Sequence, residues 1–295
     1  MHGGVLLDTI THTLFGLALY GAIDKKDMQR PARSAFLFTA VGASQIPDID
    51  VVSQLWDNEG MYQMWHRGIT HSVLLTPVWA LLFLSLSYLF FRVKDKKLFF
   101  LAWIAVLIHD TSDLFNAWGT GYFEPVSNIR LTFGTVPIID FMVWLILGAA
   151  FLASRKNKLK GTVAYKIAWC LIAVHFLVQS VQGWVIYDQY KNEKNQVALS
   201  AGFIPWTYTV IEKKEDIVTI YQDNLFQERE KQYELVSSED ANLNELFNKR
   251  PEAKTLYQWS PFVVIVEDDK RLGLYDPRFY RDGQSFLFEY IEKTQ

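Results

Sequence analysis

The sequence has one cysteine, Cys170, set inside an apolar run. That scarcity excludes an internal disulfide and a zinc site built from thiolates. The residue is expected to pack as a small helix side chain. Charge imbalance is also lacking: the formal net charge is -3 over 295 residues, so nothing global points to nucleic acid as a partner. Histidine is scarce, with six in the chain, and there is no internal repeat or low-complexity segment. A cleavable leader is not expected. No basic stretch precedes the first apolar run and no small-residue cleavage site follows it, so the first helix should stay in the membrane.

Apolar residues are abundant. Half the chain is hydrophobic, with 10 Trp, 14 Tyr and 21 Phe, and the distribution is uneven. Residues 1–190 carry long apolar stretches, whereas residues 191–295 have the composition of an ordinary soluble domain. The fold class predicted is an all-α polytopic membrane helix bundle of about six helices, followed by a small, mainly β (α+β) soluble C-terminal domain. The domains would be 1–190 and 191–295.

Six helices are predicted, at about Val5–Ile23, Ser34–Ile46, Ser72–Val93, Leu98–Phe115, Val136–Ala153 and Val163–Tyr187. The third and sixth have the roughly 20 residues a bilayer crossing needs. The second has about 13 residues before Pro47, roughly 20 Å at helical rise, so its end should lie below the membrane surface inside the protein. The loops set the orientation. Lys25, Lys26, Arg30 and Arg33 lie between the first two helices. Arg92, Lys94, Lys96 and Lys97 separate the third from the fourth, and Arg155, Lys156, Lys158 and Lys160 the fifth from the sixth. The other two loops, 47–71 and 116–135, hold only Arg67 and Arg130. Basic loops face the cytoplasm, which predicts a multi-pass protein of the cell membrane with its N-terminus, both long loops and the C-terminal domain on the extracytoplasmic side. In that domain the β-branched and aromatic runs predict strands at Thr207–Glu212, Ile217–Gln222, Gln232–Val236, Phe262–Glu267, Arg271–Tyr275 and Phe286–Ile291. One helix, about Glu239–Asn248, would be capped by Ser237 or Ser238.

Chemistry concentrates at the ends of the apolar helices. Asp8 and His12 are four residues apart, as are His109 and Asp113, so each pair shares a helix face. Asp48 and Asp50 follow Pro47. His66 and His71 flank Gly68, with His66 expected in the loop and His71 on the first turn of the third helix. The orientation drawn from the loops puts all of these, and Asp140 at the start of the fifth helix, on one side. Ionisable groups beside lipid are costly unless they bind something. Imidazole and carboxylate ligands suit zinc, manganese or iron. One or more divalent ions held there would lower the pKa of bound water toward about 7 and supply a nucleophile. The expected metal-holding residues are His12, Asp50, His66, His71, His109 and Asp113. Asp8 would orient His12 from behind. Asp48 or Asp140 would take a proton, although Asp140 could equally serve the helix dipole. Arg67 and Arg130 would clamp an anionic head group or act as interface anchors. Asp110 faces another side of its helix and its role is open. His175 reads as an interhelical hydrogen-bonding residue.

Asp8-Thr-Ile-Thr-His12, Pro47-Asp-Ile-Asp50, His66-Arg-Gly-Ile-Thr-His71-Ser and His109-x-x-x-Asp113 jointly resemble the membrane-bound, metal-dependent hydrolase family, also called LexA-binding, inner-membrane-associated hydrolases. The resemblance covers about residues 8–150. Asn116, Trp118-Gly119-Thr120, Pro125-Val-Ser127, Arg130 and Ile139-Asp140 look shared as well. That family is distantly similar to zinc-dependent phospholipase C, which implies metal roles for His109 and Asp113 and, further, for His12, Asp50 and His71. The function expected is hydrolysis of a lipid or lipid-linked phosphoester at the outer membrane-water interface. The partners would be membrane lipids, without direct nucleic-acid binding. A non-catalytic, metal-stabilised regulatory or binding protein with a protein partner at the C-terminal domain is the alternative. Ion transport is disfavoured, because the charged residues cluster at one side and leave no relay on the other.

Overall fold

The structure, a computed structural model, describes residues 2–156 and 160–293, with side chains in the first helix from Thr9 onward. The side chain of Asp8 and the whole of Lys158, both singled out from sequence, lie outside the described residues. A helical N-terminal region precedes a small, mostly β C-terminal region. In chain order the helices are α1 (His2–Gly21), α2 (Arg30–Ala43), the short α3 (Tyr62–Trp65), α4 (Thr76–Phe91), α5 (Lys97–Asp113), α6 (Phe141–Arg155) and α7 (Gly161–Tyr190). Two 3-10 segments, Ile46–Leu55 and Ile69–His71, carry the chain between them.

Helix starts differ from prediction for local reasons. α4 begins at Thr76 rather than Ser72, because Pro77 seats well only in a first turn. His71 therefore lies on a 3-10 turn and not on the third long helix. α6 begins after Asp140 rather than at Val136, because the Asp140 carboxylate accepts from the amides of Met142 (2.8 Å) and Val143 (3.2 Å) and fixes the N-terminus there. α2 stops at Ala43, three residues before the predicted end, and the chain tightens into Ile46–Leu55.

Contacts divide the chain into two compact units. The helical unit holds residues 1–50 and 67–179. In it, α2, α4 and α5 approach closely over Ala40, Ala43, Ala80, Ala102 and Ala105, all fully buried. Small residues at such seams let backbones come together. Gly16 of α1 serves the same purpose against α2: a Cβ there would sit 2.7 Å from the Ala40 carbonyl oxygen. Phe15 and Ala18 of α1 pack with Val143, Leu147, Ala164 and Ala168 of α6 and α7. Large apolar side chains such as Leu81 and Leu89 on α4, Leu145 on α6, and Leu171 and Val174 on α7 point outward. Among the described residues, α7 is long and apolar enough to cross a bilayer by itself. Up to three spans result if α2 with Ile46–Leu55, and Tyr62–His71 with α4, each count as one bent span, and α6 is a shorter apolar helix.

The second unit holds residues 51–66 and 180–295, so it takes in a piece of the first long loop and the end of α7 besides the residues after 190. An antiparallel meander, β1 (Gln196–Ala201), β2 (Tyr208–Lys214), β3 (Ile217–Asp223) and β4 (Glu230–Val236), packs on Ile186 and Tyr190 of α7. α8 (Asn244–Lys249) and α9 (Pro251–Trp259) follow. A second sheet comprises β5 (Val264–Glu267), β6 (Arg271–Tyr275) and β9 (Phe288–Glu292), with the small hairpin of β7 (Tyr280–Arg281) and β8 (Gln284–Ser285) beside β6 in sequence. The predicted strands are all present, and β1, β7, β8 and α9 are additions to them. Ser237 does not cap a helix: its hydroxyl accepts from the Ile265 amide at 2.9 Å, tying β4 to β5. Asp276-Pro277 forms a turn, with Asp276 accepting from the Arg278 amide at 2.8 Å and pairing with the buried Arg278 guanidinium. Residues 51–66 dock on α9, where Gly60, at φ 67°, lets the loop run against Glu252.

Candidate metal centre

Four ligand-type residues of the helical unit meet at one point. The Nε2 atoms of His71 and His109 are 3.1 Å apart. Asp48 Oδ1 lies 3.4 Å from the first and 3.6 Å from the second. Asp113 Oδ2 lies 3.5 Å and 3.8 Å from them. His12 completes the group. Its ring stacks on that of His109, centroids 3.7 Å apart, and its Nε2 is 3.4 Å from Asp113 Oδ1. Two sets, His12–Asp48–His109 and His71–His109–Asp113, each offer ligand atoms within 4.8 Å of one another.

The hydrogen bonds behind the imidazoles decide which nitrogens carry lone pairs. His109 Nδ1 lies 2.8 Å from the Ser44 carbonyl oxygen. A carbonyl only accepts, so Nδ1 donates and Nε2 of the neutral ring is bare. For His71, the Thr70 hydroxyl donates to Asp50 Oδ2 at 2.9 Å, which uses its one proton. Thr70 Oγ1 can then only accept from His71 Nδ1, 3.1 Å away. That leaves the lone pair of the neutral His71 ring on Nε2 as well. Two imidazole lone pairs and two carboxylate oxygens thus face each other in a buried place. A proton on one ring relieves one pair of these repulsions; a divalent cation meets all four. The donor set of two nitrogens and two oxygens, with carbonyl and carboxylate groups behind the rings, fits zinc.

The charge balance agrees. Asp48, Asp50 and Asp113 set three carboxylates against the guanidinium groups of Arg67, whose Nε lies 3.1 Å from Asp113 Oδ2, and of Arg130, which interacts with Asp50. Both oxygens of Asp110 are fully buried and lack a hydrogen-bond partner among the described residues. Buried carboxylates are costly unless cations offset them.

The remaining predicted residues fall elsewhere or act differently. Asp50 stands behind His71: its Oδ2 accepts from the Arg67 amide at 2.8 Å and from Thr70. It is in neither set of residues that could hold an ion, whereas the sequence reading had it holding metal. His66 lies in the second unit at the end of α3, its ring stacked on Tyr62 at 5.2 Å, and is in neither ligand set. Arg67 (φ 56°) is buried beside Asp113. Arg130 donates through Nη1 to the carbonyls of Arg67 (3.1 Å) and Gly119 (3.3 Å). Burial lowers its pKa to about 10. Both guanidinium groups thus hold the protein's own parts in place. Asp140, besides capping α6, accepts from His175 Nε2 at 2.7 Å. His175 is an interhelical hydrogen-bonding residue as expected, with Asp140 as its partner. Asp140 also lines a cavity of ≈ 20 Å³ together with His12, Asp113 and Asn116. Sequence reasoning did not single out Ser44 and Thr70. Thr70 sat in view within the His66–His71 motif; the role of a backbone carbonyl leaves no sequence signal.

A bundle that draws imidazoles and carboxylates from α1, α5 and the turns after α2 and α3 to one buried point, with apolar side chains turned outward, defines a membrane helical protein with a candidate metal centre. Residues 7–183 match the YdjM inner membrane protein family, and the chain belongs to it. It is also similar to the uncharacterized protein YfhP of Bacillus subtilis (strain 168), at 33% identity over 143 residues, which cover 47% of this chain and 43% of that one. The chain thus spans less than half the length of this curated relative. No solved structure matches it.

Proposed function

We propose that the chain is a multi-pass, metal-dependent hydrolase of the cell membrane, acting on a lipid or lipid-linked phosphoester from the extracytoplasmic side. The observation that carries this reading is the convergence of the His71 and His109 Nε2 atoms, each ring held from behind at Nδ1, with Asp48 and Asp113. Zinc bound there would act as a Lewis acid and lower the pKa of a bound water toward about 7. His12, Asp48, His71, His109 and Asp113 would hold it. Ser44 and the Thr70–Asp50 pair orient the two rings, and Arg67 holds Asp113. Asp140 lines the cavity that reaches His12 and Asp113, and with His175 behind it is placed to take a proton.

Six crossings fit the loop charges, and one further observation supports the sidedness. Residues 51–66 fold into one unit with residues 180–295. Loop and tail then share a side, and α4 to α7 supply the even number of crossings between them that this requires. Metal analysis of detergent-purified protein tests the reading. Zinc is expected in the wild type and should be lost in His109→Ala and Asp113→Ala. A wild type without metal, or variants with unchanged content, would overturn it.

A further inference from the structure

A second cavity lies within the helical unit, among α1, α5 and α7. Its volume is ≈ 320 Å³, and Ile104, Ile108, Trp169, Ile172 and Ala173 give it nearly all-apolar walls. It is more open than enclosed, and its size lies within the roughly 300–1,000 Å³ of ligand pockets. Its position is informative. Phe15, Ser112 and Phe176 line both this cavity and the small one lined by His12, Asp113 and Asp140. An apolar pocket therefore adjoins the donor set through shared walls, while Ile104 at its rim is exposed on the outward face of α5.

We infer that this pocket receives one hydrocarbon chain of an amphiphile whose phosphate end reaches the donor set. The inference rests on the proposed function and specifies it further: the substrate is held by a single chain lying between α5 and α7. A polar end that fits cations and an apolar end that fits methylenes select for that shape. A bulk lipid merely touching the bundle would have no reason to prefer this seam over the outward face of α4.

The test uses the full chain in zinc-loaded form, with two photoreactive probes. One is a long-chain alkyl phosphate carrying a diazirine midway along the chain; the other is the same chain ending in a hydroxyl. The phosphate probe is expected to label Ile108, Ile172 and Ala173 in preference to Leu81 and Leu89 of α4. Ala173→Trp, which fills the pocket, should abolish that labelling and keep its zinc. Even labelling of α4 and the pocket, or equal labelling of the pocket by the neutral probe, would overturn the inference. Zinc content in the same samples separates the two ideas. Bound zinc with even labelling refutes the pocket alone, whereas absent zinc refutes the metal-dependent reading itself.

Discussion

Asp50→Asn separates holding a metal from orienting a ligand. Asp50 Oδ2 accepts from the Arg67 amide at 2.8 Å and from Thr70 at 2.9 Å, and lies 3.4 Å from His71 Nδ1. An asparagine oxygen is isosteric and can keep the first two bonds, so the turn should survive. The negative charge behind the His71–Thr70 chain is lost. Removing a partner that orients a metal-binding imidazole typically costs about 10–100-fold in metal affinity, or about 1.4–2.7 kcal/mol. Competition with a chromophoric zinc chelator, in detergent, measures this directly. The variant should still bind zinc to the wild-type stoichiometry, with affinity weakened in that range, while His109→Ala loses the metal. If Asp50→Asn lost its zinc as His109→Ala does, Asp50 would be a ligand and the orientation argument would fail. Unchanged affinity would equally refute it, since the Thr70 relay would then carry no weight.

Other consequences can be checked alongside. Asparagine caps helices well, so Asp140→Asn should keep fold and zinc but lower phosphoester turnover by about 10²–10⁴-fold, the usual worth of a general base; full turnover would remove Asp140 from the reaction. Asp110→Leu exchanges a buried carboxylate without a described hydrogen bond for an apolar side chain, and should raise the thermal midpoint of chelator-treated protein by the equivalent of about 1–4 kcal/mol; a fall would reveal a partner for that carboxylate. Gly16→Ala brings a methyl group to 2.7 Å from the Ala40 carbonyl oxygen and 2.4 Å from Ser44 Oγ. It should cost about 1–3 kcal/mol by overpacking and reduce zinc affinity, because His12 sits one turn away and the Ser44 carbonyl supports His109; wild-type behaviour would show that the seam has slack. In a Cys170→Ser background, an impermeant maleimide applied to intact cells should label Asn128→Cys and spare Asp27→Cys, and the opposite pattern would invert the proposed sidedness.

Much of the helical unit could be read from the sequence because long apolar stretches leave few alternatives to helix. Boundaries were harder. Pro77 and the capping carboxylate of Asp140 each shifted a start by about four residues, and both signals were present in the sequence but outweighed by hydropathy. α9 went unread because Pro251 looks like a terminator until it is seen to open a helix, and β1 because Gln196–Ala201 lacks the aromatic and β-branched density of its neighbours. At the site, His12, His71, His109, Asp48 and Asp113 announce themselves by residue type and by lying at helix ends. What they do depends on partners far away in the chain. Ser44 behind His109 and His175 behind Asp140 are separated by 65 and 35 residues. Asp110 shows why burial is the hardest property to foresee. It sits one residue from His109, and only the packing around α5 reveals a carboxylate sealed from water.

The excursion of residues 51–66 has a practical use. The chain leaves the helical unit after Asp50 and re-enters it at Arg67, and the hydrogen bond from the Arg67 amide to Asp50 staples the root of the excursion shut. Doubling the length of a loop adds only about 0.6 kcal/mol of closure entropy. Extra residues grafted beside the exposed Leu55 and Trp56 should therefore leave that root closed, making this a natural place to insert a tag and report on the protein in living cells.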